Sequence, residues 1–528
     1  RLPEDPPHLD QSSVVQHQAE AGVDHDLRVL CDDAIVSYSL ARDVAEALRS
    51  DASARALIDD DLVALCDAVG ARLKDCYQTF RRGARTIDAE EETRCARDAA
   101  AAERQARITA AMHVAMVSPG EPVPQAWSLL GWTQEGEPVV IPRDRGQVVL
   151  GCGVPGFGKS QAALTQIEAV LRPRPGLSHG TYPTAVASFH VDATGISVPE
   201  LLYAALPNAR ADDRATLDKH LGVLPEPLPM VRLAVPEPLF QEYRERVRAK
   251  LGPPGKLPNL EVVPLRLPLG QLGAGGLSAL LGAVGDSEDA QYLHGALQDA
   301  TELGDRLTLA EWRRRISARP DLNSALRYKA LARLSAFELI EAPPGSPAAR
   351  SDSGIFDLCQ PGVLTVFALS GRWLPQRGAL PMITGLMNAI SQPGGPHGVF
   401  QRLFHLDEVS RLAGDPRLWE HLVMTARQQR HWATTLWLLG QDLGVLPSEL
   451  IALARGVLLF RQGSPKLLLR LRERIPGLRK IRFSMLAKLA PGQALFCADF
   501  REPALGQRQR IYVRPPACAH GGHSSVAL

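Results

Sequence analysis

The sequence predicts an α/β protein built on a parallel sheet, and three observations predict it. Residues 147–170 read as a short apolar strand, a glycine-rich loop and a helix. Further apolar, β-rich stretches at 185–191, 362–370, 401–406, 432–439 and 457–460 alternate with helical patterns, the order that builds parallel sheets. One of these stretches ends in two adjacent carboxylates, Asp407 and Glu408. Ligands of open α/β sheets bind outside such carboxyl-terminal strand ends.

The loop Gly153-Val154-Pro155-Gly156-Phe157-Gly158-Lys159-Ser160 fits G-x-x-x-x-G-K-[ST] in full, with a strand before it and a helix after it. Its glycines let backbone N–H groups turn inward around a polyphosphate, and the helix N-terminus adds partial positive charge. Lys159 is expected to reach the β/γ-phosphates of ATP, the Ser160 hydroxyl to ligate Mg²⁺, and Gln161 to complete the binding segment. A glycine-rich turn with a chance Gly-Lys-Ser is the alternative; the flanking strand and helix argue against it.

The chain has 528 residues, with 45% hydrophobic and 22% charged, and a net charge of +1. That length suits about three domains. The charge excludes a globally basic nucleic-acid binder, so any such surface is a local patch. Eight scattered cysteines without a C-x-x-C argue for reduced thiols rather than a disulfide frame or zinc site. Cys518, His520 and His523 are read as chance clustering in a tail. No apolar run approaches the 18 or more residues of a spanning helix, and there is no signal peptide at this start. The expected place is cytoplasmic, or peripheral at the inner face of a membrane.

In order, residues 1–26 read as a tail or linker and 27–124 as an N-terminal helical region, with one long charged helix over 90–113. Residues 130–140 suit a β-hairpin ahead of the glycine loop. The strand at 185–191 is followed by Asp192. Residues 207–258 mix charge and proline, with a helix near 237–251, and 260–269 is strand-like. Helices are expected at 277–284, 289–301 and 309–336, and another over 379–390. Residues 515–528 read as a disordered tail.

The strand at 401–406 supplies the second half of the expected nucleotide site. Asp407 would hold Mg²⁺ through water and Glu408 would act as general base, the strand lying beside that of the glycine loop. The strand at 432–439 ends at Gln441, whose side chain can touch the γ-phosphate; a plain loop glutamine is the alternative. Arg427, Arg430 and Arg461 are each candidates for an arginine finger toward a neighbouring subunit, against the blander reading of a solvated or salt-bridged arginine. Residues 466–482 hold seven basic side chains and one acid, Glu473. They suit a DNA channel, a solvated helix or a subunit contact, and the solvated helix is slightly favoured. Leu369-Ser370-Gly371 is followed by Arg372-Trp373, which excludes an ABC-type signature.

This order of motifs resembles the HerA–FtsK group of P-loop motors, and within it the VirB-type and Tra-type ATPases of conjugation and type IV secretion. The matching pieces are LGWTQEGEPVVIPRDRGQVVLGCG before GFGKS, then AVASFHVDATG, GVLTVFALS, LFHLDE, MTARQQRHWATTLWLLGQD and LPSELIALARGVLLFRQ. The helix carries Arg427-Gln428-Gln429-Arg430 where the group usually has Gly-Arg-Lys. The resemblance implies a RecA-like P-loop NTPase domain with a parallel central sheet, an inserted helical subdomain and the N-terminal helical region. The ATPase domain would run over 125–206 and 345–514, with the mostly helical insertion over 207–344. It implies ATP and Mg²⁺ as cofactors and a homo-oligomer, a hexamer, moving DNA or protein, in contact with a membrane-associated secretion or conjugation complex. An ATP-dependent switch or scaffold with slow turnover is the second reading.

Overall fold

Nearly every residue in the apolar stretches is buried, so the sheet they form is covered on both faces. The computed structural model of the chain describes residues 126–521, except 144–145, 181, 192–196, 254–255, 268, 273–275, 279–280, 282–287, 305–306, 340, 342–353, 370–375, 392–399, 413–415, 429–432, 476–477 and 499–506; upstream it describes Ala71, 93–96, Ala99 and Glu103. The chain divides into two compact units, Arg1–Arg97 and Asp98–Leu528. In the first unit Ala71 and residues 93–96 are helical. The tail expected over 1–26 and most of the helical region expected over 27–124 lie outside the described residues.

The described residues of the second unit contain β1 (Trp127–Thr133), β2 (Pro138–Pro142), β3 (Val148–Cys152), β4 (Ser178–His179), β5 (Thr184–His190), β6 (Met230–Pro236), β7 (Leu260–Leu265), β8 (Val363–Ala368), β9 (Gln401–Leu406), β10 (Thr434–Gly440), β11 (Gly456–Leu459), β12 (Gln493–Ala498) and β13 (Gln507–Val513). All belong to one sheet, ordered β2-β1-β13-β12-β11-β3-β10-β9-β5-β8-β6-β7, with β4 paired to β1. From β11 to β7 every pairing is parallel, and the β12, β13, β1 and β2 flank is antiparallel. The fold is a RecA-like α/β arrangement, with β3, the strand of the glycine loop, flanked by β10 and β11. β9 does not lie beside β3 as the sequence reading had it. β10 intervenes, in register Leu436↔Val148 with β3 and Thr434↔Arg402 with β9. The order of parallel strands is set by how the crossover helices pack, which no single strand's composition encodes.

Alternate strand residues enter two separate cores. Val149, Val186, Leu403, Trp437, Leu439 and Leu458 pack with the helices Lys159–Leu171 and Phe240–Leu251 on one face. Val148, Leu150, Phe189, Phe404, Leu406, Leu436 and Leu438 pack on the other with the helices Glu288–Leu303, Leu309–Ala318, Ser324–Leu334, Gln376–Ser391 and Pro416–Gln428.

Two expected segment assignments need correcting. The stretch 207–344 is not mostly helical in its first part, because β6 and β7 extend the central sheet beyond β8. The strand-like reading of 260–269 falls on β7; prolines obscured β6, but the prolines of both strands occupy tolerated places. Pro229 precedes β6, Pro236 ends it, and Pro264 lies in β7, an edge strand that can lack an N–H. Residues 515–521 are not a loose tail either. Ala517 and Cys518 are buried, Pro207 forms a β-bridge with Cys518, and the Ala519 N–H donates to the Leu206 carbonyl at 2.7 Å. Residues 522–528 lie outside the described residues.

Candidate nucleotide-binding site

The chain after β3 must turn sharply and then start a helix, and the glycines are what permit it. Gly156 and Gly158 have φ of 80° and 102°, in the left-handed region that side chains disfavour. At Gly153 a Cβ would lie 2.6 Å from the Phe460 Cβ, so only hydrogen fits against β11. The loop is pinned from that side, with the Val154 N–H donating to the Arg461 carbonyl at 3.0 Å. Gly158 is the N-cap of the helix Lys159–Leu171 and supplies no side-chain cap. The first N–H groups of that helix therefore stay available for an anion at its positive end. Lys159, 6% exposed, donates from Nζ to the carbonyls of Gly153 at 2.9 Å and Val154 at 3.2 Å.

At the end of β9 the backbone is strained. Glu408 has φ 51°, and its N–H donates to the Asp407 Oδ1 at 2.9 Å. Gln441, at the tip of β10, donates from Nε2 to both Glu408 carboxylate oxygens at 3.2 Å. The sequence placed these residues at two strand tips; the structure brings them into contact.

Pro155, Gly156, Gly158, Lys159, Ser160 and Gln161 share with Asp407 and Glu408 one cavity of about 560 Å³. Gly153, Val154 and Phe157 do not line it; they shape the loop, and Gly153 and Val154 hold Lys159. The cavity continues over the tips of β5 and β8 to Glu200, Tyr203 and Lys250, and its wall is completed by His520 and Gly521. Burial, then the nearby Asp407 and Glu408 carboxylates, raise the Glu200 carboxyl above its ordinary value. Ser160 offers a hydroxyl and Asp407 a carboxylate to the same space, a hard-oxygen donor set that fits Mg²⁺ held by few protein ligands, with phosphates and water completing its shell.

No protein-family model matches the chain, and no curated protein matches it. Solved structures do resemble it in fold. VirB4 of Thermoanaerobacter pseudethanolicus is 14% identical at a TM-score of 0.40, over 75% of this chain and 98% of that one. The bacterial conjugative coupling protein TrwBΔN70 is 13% identical at a TM-score of 0.43, over 77% of this chain and 97% of that one. The cytoplasmic domain of the Thermomonospora curvata type VII secretion ATPase EccC is 14% identical at 0.28, over 75% of this chain and 29% of that one.

The three arginines have separate fates. Arg427, exposed on the helix Pro416–Gln428, pairs with Glu449 at 2.9 Å. Arg461 stacks its guanidinium over the Phe157 ring, 5.0 Å from the centroid, so it rests on its own glycine loop. Arg430 and Asp192 lie outside the described residues. In the basic stretch 466–482, Arg470 pairs with Asp442, while Arg472 and Arg474 donate to the carbonyls of Ile481 and Leu446.

Sequence reading missed two features near the site. The segment that leads to His520 and Gly521 is tied to the Lys159–Leu171 helix at Arg514, which is 0% exposed and meets Glu168 at 2.8 Å. An arginine after a strand looks like a surface residue, and nothing local distinguishes this one. The other is His405, buried on β9 with its Nδ1 2.9 Å from the Ser188 Oγ. A histidine inside an apolar strand was a visible signal.

Proposed function

We propose that this chain is an ATP-hydrolysing motor that works as a homo-oligomer, a hexamer in this reading, and moves DNA or protein in conjugative transfer or secretion. One observation carries the enzymatic part: Lys159, Ser160, Asp407 and Glu408 face a single cavity, with Gln441 holding Glu408. A glycine loop alone suits many nucleotide binders. A carboxylate pair across the cavity from it suits hydrolysis.

Each residue then has a task. The loop N–H groups and the helix N-terminus receive the polyphosphate, and Lys159 turns from the Gly153 and Val154 carbonyls to the β/γ-phosphates. Ser160, and Asp407 through water, would hold Mg²⁺, which would neutralise phosphate charge. Glu408 accepts the proton of the attacking water. Gln441, between Glu408 and β10, passes the state of the γ-phosphate to the core of the sheet. The oligomer, the DNA or protein substrate and the membrane-associated complex rest on the order of motifs in the sequence. Among the described residues, no helix is long and apolar enough to cross a membrane; a peripheral place at the inner face of the membrane belongs to this reading.

The test is steady-state ATP hydrolysis with and without DNA, together with the mass of the assembly in ATP. Hydrolysis that rises with DNA in a ring-sized assembly supports a DNA motor. Slow hydrolysis by a monomer, indifferent to DNA, favours the switch or scaffold instead.

A further inference from the structure

One side chain in the cavity wall has no part in the chemistry assigned to Lys159, Asp407 and Glu408. His405 lies on β9, two residues before Asp407, which follows the end of the strand, and both line the same cavity. Its ring is 1% exposed and lines the nucleotide cavity. Ser188, its direct register partner on β5, takes up one ring nitrogen, with Oγ and Nδ1 2.9 Å apart. The other nitrogen, Nε2, is buried and has no hydrogen-bond partner. An unmet buried polar atom is destabilising, and an apolar residue would avoid the cost, as Phe404 and Leu406 do on either side. A group that faces the ligand space with one nitrogen fixed and the other open is arranged to receive something.

We propose that His405 is a positioning residue of the metal site, its Nε2 holding a water of the Mg²⁺ that Ser160 and Asp407 bind. This rests on the nucleotide reading above. In the tautomer whose Nδ1–H donates to the Ser188 Oγ, Nε2 presents a lone pair, and metal-bound water is a strong donor that seeks such acceptors. His405, anchored through Ser188, adds an acceptor for that shell on the β5 side of the cavity.

Side-chain position separates this role from a structural one. Glutamine places its amide near the Nε2 position, and asparagine near the Nδ1 position. Mn²⁺ serves as the probe, titrated in the presence of ADP and read by the paramagnetic signal of the free ion. H405N and H405F are expected to weaken Mn²⁺ binding about 10–100-fold, the usual cost of losing an outer-shell partner, and H405Q by less than about threefold. ADP affinity in EDTA should be unchanged in all three. If the histidine serves only to pair with Ser188, the order reverses: H405N binds Mn²⁺ like the wild type and H405Q does not. That order, or equal Mn²⁺ affinity in every variant, overturns the proposal. Should H405F not fold, the order of H405N and H405Q still decides. Wild-type protein that binds no ADP, with or without metal, overturns the nucleotide reading itself.

Discussion

Glu408→Gln separates chemistry from binding, and the surroundings of Glu408 set the size of each effect. The residue sits at φ 51°, a conformation that costs about 1–2 kcal/mol for any residue with a Cβ. Glutamine has the same Cβ, so this cost does not change. The carboxylate accepts from the Gln441 Nε2 on both oxygens, each at 3.2 Å. A glutamine at 408 keeps one acceptor and turns an amide donor toward the Gln441 donor. The loss is about one partly solvated hydrogen bond, ~0.5–1.5 kcal/mol, too little to unfold the site or expel the nucleotide. The proton acceptor is lost outright. General-base catalysis contributes ~10²–10⁴ in rate, which is about 2.7–5.4 kcal/mol of barrier. The expected result is ATP affinity within about threefold of wild type and single-turnover hydrolysis slowed at least roughly a hundredfold. Fluorescent-nucleotide titration measures the first and quenched-flow with labelled ATP the second. Hydrolysis near the wild-type rate would move the base elsewhere. Lost binding would mean that Glu408 holds the nucleotide rather than activating water.

Lys159→Ala removes a charge-assisted phosphate contact of about 1.5–3 kcal/mol, so calorimetric ATP affinity should fall at least roughly tenfold in a folded protein. Arg514→Met strands Glu168, 2% exposed, with the Ala517 N–H as its remaining close partner at 2.8 Å. That should cost about 3–5 kcal/mol in urea unfolding, much of it regained by adding Glu168→Leu. Arg427→Ala is expected to leave ATP binding nearly intact and abolish hydrolysis, and mixing it with Glu408→Gln protein should restore activity if Arg427 serves a neighbour's site. Arg461→Ala should show no such rescue, because Arg461 rests on its own Phe157; restored turnover in that mixture would reverse the assignment.

What the sequence disclosed was what is local to it. The glycine loop is complete within eight consecutive residues, and its strand and helix lie on either side, so pattern alone located it. Asp407 and Glu408 were legible because a carboxylate pair at the end of an apolar strand, common by itself, follows a complete glycine loop in the same chain. What stayed hidden depends on partners far along the chain. The place of β10 between β3 and β9 is a matter of crossover packing. β6 was lost among prolines that turn out to sit at its ends. His405 stood out as a polar interruption in an apolar strand, but its meaning rests on Ser188, 217 positions away. Glu408 combines both kinds of information. Its identity is local, whereas its left-handed backbone becomes affordable only when the fold holds it from two sides, by the Asp407 carboxylate on its N–H and the Gln441 amide on its side chain. Strain of this kind persists where surrounding structure over-determines it. The contact that a sequence cannot show, between the tips of β9 and β10, is therefore what keeps the residue that a sequence can show aimed into the cavity.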